Sequence, residues 1–155
     1  MPKKRVSESR VKLTEIVFPE DTNPYGSLFG GRLVSLMDKA AFLCATRHAR
    51  KNCVTASMDR LNFLAPIGEG YIVEIEAHIN YVARSSMEIE LNVSAEDTLS
   101  GKQVEACHAY FTLVALDSAG KPSPVPQLEL QGEGEYKRFQ AGKKRHQERL
   151  RTRVR

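Results

Sequence analysis

Two stretches of strict alternation limit what this chain can fold into more than any other feature. In the first, Tyr71, Val73, Ile75, Ala77, Ile79 and Tyr81 alternate with Glu74, Glu76, His78 and Asn80. In the second, Met87, Ile89, Leu91, Val93 and Ala95 alternate with Glu88, Glu90, Asn92, Ser94 and Glu96. A period of two sends successive side chains to opposite faces of a strand, so each stretch reads as a strand with one buried face. The link between them is short, which predicts an antiparallel pair. Val104 to Leu116 is apolar on both parities, with Ala106, Tyr110 and Val114 on one and Cys107, Phe111 and Leu113 on the other. That pattern predicts a central strand covered on both faces. Arg10–Phe18 and Val54–Phe63 supply two further strands, and Pro66 to Gly70 a loop between elements.

The remaining long element is helical. After Gly30 and Gly31, the residues Leu33, Leu36, Met37, Ala40, Leu43 and Cys44 recur at spacings of three, four and seven, the face of an α-helix. Val34, Ala41, Phe42 and Ala45 make the other side apolar too, which predicts a buried helix. Asp38 interrupts this apolar surface. A carboxylate there must raise its pKa or gain strong hydrogen bonds, and such groups are enriched at functional sites. With Lys39 adjacent and Arg32 two turns back, a helix-edge position is the plainer alternative. Asp21, Asn23, Pro24 and Gly26 form a turn ahead of the helix. Gly30 and Gly31 fall where the first helical N–H groups lack acceptors, a place that can hold a developing oxyanion or serve only as a helix entry.

Length and composition narrow the class. A chain of 155 residues, 41% hydrophobic and 27% charged, suits a single globular domain with an ordinary core. No apolar run reaches membrane-spanning length, and Met1 to Val11 lacks the apolar centre of a secretory signal. Cys44, Cys53 and Cys107 sit in apolar surroundings and read as reduced core thiols of a cytoplasmic protein. His48, His78, His108 and His146 have no metal-ligand spacing, and neither a serine triad nor a phosphate loop is present. Charge is concentrated at one end. Residues 132–155 carry nine lysines and arginines against three glutamates, a net of +6, leaving −2 for the rest of a chain whose formal total is +4. With little aromatic interleaving, that segment reads as a solvated helical tail, with a nucleic-acid or membrane surface, or a phosphate-rich substrate, as alternatives. Asp117 to Pro126 is the linker to it.

The strings DTNPYGSLFGGRLVSLMDKAA, VTASMDRLNFLAPIGEGYIVEIEAHINYVARSSMEIELNV and AYFTLVALDSAGKP occur in order over nearly the whole chain. Together they resemble the hotdog-fold acyl-CoA thioesterases of the cytosolic acyl-CoA hydrolase type. The resemblance implies an α+β hotdog fold, an antiparallel sheet of about five strands curled around one long central helix. It implies a thioesterase domain at 1–131 followed by a basic helical extension at 132–155. The reaction it implies is hydrolysis of acyl-CoA to a carboxylic acid and coenzyme A, with no cofactor, because coenzyme A belongs to the substrate.

By the same resemblance Asp38 is the general base or nucleophile, and Gly30 and Gly31 supply the oxyanion hole. Asn23 orients water or carbonyl from the opposing subunit, unless it serves only an Asx-turn. Arg84, Ser85 and Ser86 hold the phosphate or pantetheine of coenzyme A, with Lys137, Arg138 and Lys143 as weaker candidates. Phe29 departs from the histidine or isoleucine common there in the family. The expected assembly is a homodimer, in a trimer of dimers, in the cytoplasm, with no nucleic acid and no membrane insertion. Two rivals remain. A hotdog hydratase would need a histidine near the acid, and none lies in Asp21 to Ala45. A non-catalytic acyl-CoA-binding or regulatory module would tolerate loss of Asp38.

Overall fold

The alternating stretches become the middle of a five-stranded antiparallel sheet in the computed structural model of the chain, which describes residues 1–153. The elements in order are β1 (Lys4–Arg5), β2 (Val11–Ile16), α1 (Gly30–Ala49), β3 (Asn52–Phe63), β4 (Ile72–Val82), β5 (Ser86–Glu96), β6 (Gln103–Leu116), β7 (Leu128–Glu129) and α2 (Gly132–Thr152). The main sheet runs β2-β4-β5-β6-β3, so β3 is a bare edge among the described residues. β1 and β7 form a small parallel pair apart from it.

The sheet wraps α1, which touches all five strands. Leu33, Leu36, Met37, Ala40, Ala41, Cys44 and Ala45 point into the sheet and meet Ile75, Ile89, Leu91, Phe111 and Leu113, all nearly or fully buried. Each large apolar side chain removed from water there contributes about 1.5–3 kcal/mol. The three cysteines are buried and free. Lys4 Nζ reaches the carbonyls of Arg47 and His48 at 2.9 and 3.0 Å, placing a cation at the negative end of α1.

Four expectations need revision. First, α1 is not buried all round: Phe42 and Leu43 are 45% and 37% exposed, because the sheet covers only one side of the helix. Second, Val104–Leu116 is not the central strand, since β6 lies second from an edge and β5 takes the centre. Its double apolar parity has two sources: Cys107, Phe111 and Leu113 face the core while Tyr110 and Val114 stand on the outer face, with Arg145 of α2 over the Tyr110 ring, and Ala106 is set out of phase by a bulge. Val93 pairs with Cys107 but Ser94 with Glu105, which leaves Ala106 as the extra residue. Third, a bulge at Asn80 shifts Tyr81 out of phase with Ile79, so Tyr81 leaves the core face and stands opposite Glu88 on the outer face. Fourth, the basic helix is not a fully solvated tail. α2 lies on the outer face of the sheet, its Phe139 ring 5.0 Å from that of Tyr81 and Arg145 3.8 Å above the Tyr110 ring. Gly142 permits the close approach, because a Cβ there would fall 2.8 Å from Tyr81 Cβ. The last two residues of the expected 132–155 extension lie outside the described residues.

Candidate functional site

The residues singled out by the sequence fall in three places. The first is the middle of α1. Asp38 is half-buried on the side of the helix that carries Val34 and Phe42, beside β3. Thr55 Oγ1 donates a 2.6 Å hydrogen bond to Asp38 Oδ1, so the acid has gained the strong hydrogen bond that a carboxylate in apolar surroundings requires. Thr55 was not singled out from sequence. Its pairing with the inward-facing Leu113 turns its hydroxyl to the helix, and only the strand register reveals that.

The second place is the start of α1. Phe29 is its N-cap and gives no side-chain hydrogen bond. Leu33 N–H is the first to find a helical acceptor, at Phe29 O. The N–H groups of Gly30 and Gly31 find none among the described residues, which leaves donors and the positive end of the helix dipole open to an oxyanion. A Cβ on Gly31 would meet nothing within 4 Å, so packing inside one protomer does not account for that glycine. Asn23 closes the preceding turn. Its Oδ1 accepts from the N–H groups of Tyr25 and Ser27 at 2.9 and 3.1 Å, an Asx-turn that leaves the amide NH2 without a partner among the described residues. Asn23 and Gly30 share a cavity of about 400 Å³ with Leu28, Leu33, Phe63 and Ile67.

Asp38 does not line that cavity. It stands eight residues along the helix from Gly30, about 12 Å at 1.5 Å per residue. One carbonyl cannot lie within hydrogen-bond reach of both groups of the same protomer.

The third place is the β4–β5 hairpin. Its backbone is fixed by Ala83 N–H to Ser86 O, Ala115 N–H to Ser85 O and Val125 N–H to Arg84 O, each at 2.9 Å. The Arg84 side chain is exposed and has no ion-pair partner among the described residues. The Tyr81–Phe139 stack brings the first half of α2 to this end of β4. Lys137 and Lys143 are exposed there, and Arg138 is half-buried.

Other ionisable clusters stand on the outer face. Glu88, 1% exposed, accepts two hydrogen bonds from Arg145 at 2.7 and 3.0 Å and one from Arg149 at 3.3 Å. Glu90 accepts from Asn80 at 2.9 Å and contacts His108 at 2.6 Å and His78 at 3.3 Å. Burial alone would push the Glu90 carboxyl up, but these histidine and amide contacts outweigh it and hold the group far below the usual range. Among the described residues, no cluster of His, Cys, Asp or Glu could hold a metal ion, and no helix is long and apolar enough to cross a membrane.

Residues 25–102 match the thioesterase superfamily. An uncharacterized acyl-CoA thioester hydrolase of Bacillus subtilis is 46% identical over 78% of this chain and 70% of its own length. The mouse cytosolic acyl coenzyme A thioester hydrolase is 41% identical over 91% of the chain, which spans only 38% of that longer protein. Among solved structures, an apo-hexameric acyl-CoA thioesterase superposes with a TM-score of 0.93 at 35% identity, covering both chains in full. The acyl-CoA hydrolase of Staphylococcus aureus, solved with butyryl coenzyme A, coenzyme A and its disulfide, gives 0.88 at 36% identity over 96% of this chain and 91% of that one. Alanine variants of that enzyme have been solved at an asparagine, an aspartate and a threonine, spaced successively by 15 and 17 residues. With that fold, a free helix entry and a hydrogen-bonded acid on the same helix, the chain belongs to the thioesterase superfamily as a hotdog-fold thioester hydrolase of the acyl-CoA hydrolase family.

Proposed function

We propose that the protein hydrolyses acyl-CoA to a free carboxylic acid and coenzyme A, with Asp38 at the reaction centre. The observation that carries this reading is the 2.6 Å hydrogen bond from Thr55 to the half-buried Asp38 at the β3 edge of the sheet. It fixes one carboxylate oxygen and leaves the other to take a proton from water, or to attack the thioester carbon itself. The negative charge that develops on the carbonyl oxygen is met by the free N–H groups of Gly30 and Gly31, a type of contact whose loss costs about 3 kcal/mol elsewhere. Collapse of the tetrahedral adduct breaks the C–S bond, and the departing thiolate takes the proton that Asp38 drew from water, leaving as the thiol of coenzyme A. If Asp38 attacks instead, the acyl–aspartyl anhydride is then hydrolysed by a water that supplies that proton and regenerates the carboxylate. Asn23, Asp38 and Thr55 stand 15 and 17 residues apart, the spacings of the three substituted positions in the Staphylococcus aureus enzyme.

The separation of about 12 Å along α1 requires that Asp38 and Thr55 of one protomer work with Asn23 and Gly30 of a second. Support for a homodimer comes from the bare edge of β3 and the exposed apolar side chains Phe42, Val54, Met58 and Phe63 around it. The hexameric relative supports further assembly into a trimer of dimers. Arg84, with Ser85 and Ser86, is the proposed phosphate and pantetheine contact, aided by Lys137 and Arg138. Free buried cysteines fit a cytoplasmic setting. The test is Asp38→Asn, which keeps the shape and removes the base or nucleophile. Thiol release from acyl-CoA should fall to near background with an unchanged circular dichroism spectrum, and comparable turnover in the variant would refute the assignment.

A further inference from the structure

The segment that joins β6 to β7 reads as a linker in the sequence, yet it is held on both sides. Toward the β4–β5 hairpin, Val125 N–H donates to Arg84 O at 2.9 Å and Gln127 Nε2 to Ala83 O at 3.2 Å. Toward the end of α1, His48 Nε2 lies 2.7 Å from Pro126 O, and Lys51 Nζ donates to Ser123 Oγ at 2.8 Å and to Pro124 O at 2.5 Å. Residues 123–127 form neither helix nor strand. The backbone of Ser123 and Gln127 is tied at the two ends of this strap, to Ala115 and Lys4. Between those ends its position rests on the buried Val125 side chain and on the bonds to Arg84, His48 and Lys51. One face of the strap therefore carries Arg84, and the other leans on α1.

His48 is fully buried. Pro126 offers only a carbonyl oxygen, so the ring Nε2 carries the hydrogen and donates it. Nδ1 is buried and has no partner among the described residues, and burial lowers the pKa of the ring, which keeps it neutral. An apolar side chain of similar size would fill this space without leaving a polar atom unpaired. What the histidine adds beyond packing is its one bond to the strap. It stands ten residues beyond Asp38, about 15 Å along α1, so it has no contact with the acid.

We propose that His48 and Lys51 are positioning residues for coenzyme A: they hold the strap at 123–127, and the strap holds Arg84 where it meets a substrate phosphate. The inference rests on the reading of Arg84 as a phosphate contact and adds two residues that act through it.

The experiment measures kcat/KM on hexanoyl-coenzyme A and hexanoyl-pantetheine, which share the reacting thioester while only the first carries phosphates. The chains are wild type, Arg84→Ala, His48→Phe, His48→Gln, Lys51→Met and the double variant Arg84→Ala/His48→Phe, with calorimetric Kd values for coenzyme A beside them. Arg84→Ala should lower the coenzyme-to-pantetheine ratio by about ten- to a hundredfold. His48→Phe and Lys51→Met should each lower it by about fivefold, through KM rather than kcat, since a long side chain on a displaced backbone keeps part of its contact. His48→Gln, whose amide N–H can replace that of the imidazole, should retain most of the ratio. Adding His48→Phe to Arg84→Ala should lower the ratio no further. Should His48→Phe fail to fold, Lys51→Met decides the matter from a half-buried position outside the core. A loss that falls on both substrates alike, or that adds to the loss in Arg84→Ala, overturns the inference. A ratio that moves in Arg84→Ala but not in the folded His48→Phe or Lys51→Met overturns it alone, whereas a ratio fixed in Arg84→Ala overturns the phosphate reading and this inference with it. A wild type that cleaves neither thioester overturns the hydrolase reading, and the Kd values for coenzyme A then carry the same comparison.

Discussion

Thr55 is the only side chain among the described residues that hydrogen-bonds Asp38, and as a positioning residue it has a measurable signature. Thr55→Val keeps the shape and the strand preference but removes the hydroxyl. Loss of a hydrogen bond to a charged group is worth about 1.5–3 kcal/mol, so kcat should fall by about ten- to a hundredfold. KM should change little, because the bond orients the acid rather than the substrate. Steady-state kinetics read the split, and a rise in KM with unchanged kcat would contradict it. Asp38 could be seen in the sequence because a charge interrupts an apolar helix. Thr55 could not, because threonine in a strand is ordinary and the face it presents depends on a register with bulges on either side of Ser57 to Asp59. Gly31 reads in the sequence as an oxyanion donor or as a plain helix entry, and that its absent side chain leaves open space is a fact of tertiary structure alone.

Among the elements, α2 shows how a charge count misleads. Its basic residues read as solvated, yet Arg145 is only 12% exposed and Arg149 21%, both turned onto Glu88. Arg145→Ala would strip the bidentate partner from a buried carboxylate, a change that costs about 3–5 kcal/mol. In a chain of this size that is a fall in Tm on the order of 10 °C, whereas the exposed Lys144→Ala should leave Tm nearly unmoved. Differential scanning calorimetry distinguishes them.

Glu90, on the same face of the sheet, gives a pH dependence. Its folded-state pKa lies below the ordinary 4.5, so its contribution to stability is complete above that pH. As pH falls from there through the folded value the contribution is lost. Thermal melts should show Tm declining below about pH 4.5, with a shallower decline in Glu90→Gln. β4, β5 and their pairing were legible from alternation, β6 from its apolar run and α1 from its three- and four-residue spacing, whereas the short β1 and β7 carried no pattern. What alternation could not carry was the bulges at Asn80 and Ala106, each of which adds one residue and exchanges the faces beyond it. Tyr81 passed from core to α2 contact for that reason, and with it went the sequence signal that α2 has a docking surface.

For the whole molecule, the exposed rim of Phe42, Val54, Met58 and Phe63 is the surface on which the proposed dimer depends. Phe42→Glu places a charge within it, close to Asp38 along the helix. Analytical ultracentrifugation should show the variant dissociating to smaller species, with thioester hydrolysis lost together with assembly. Wild-type monomers with full activity would contradict the shared site. The spacing of about 12 Å between the start of α1 and Asp38 has a genetic counterpart. Two dead chains should complement each other: Asn23→Ala spoils one half of the proposed site and Asp38→Asn the other, so neither homodimer can turn over substrate. When equal amounts are unfolded together and refolded, random pairing leaves one intact site in every mixed dimer, and about a quarter of wild-type activity should return from two inactive preparations.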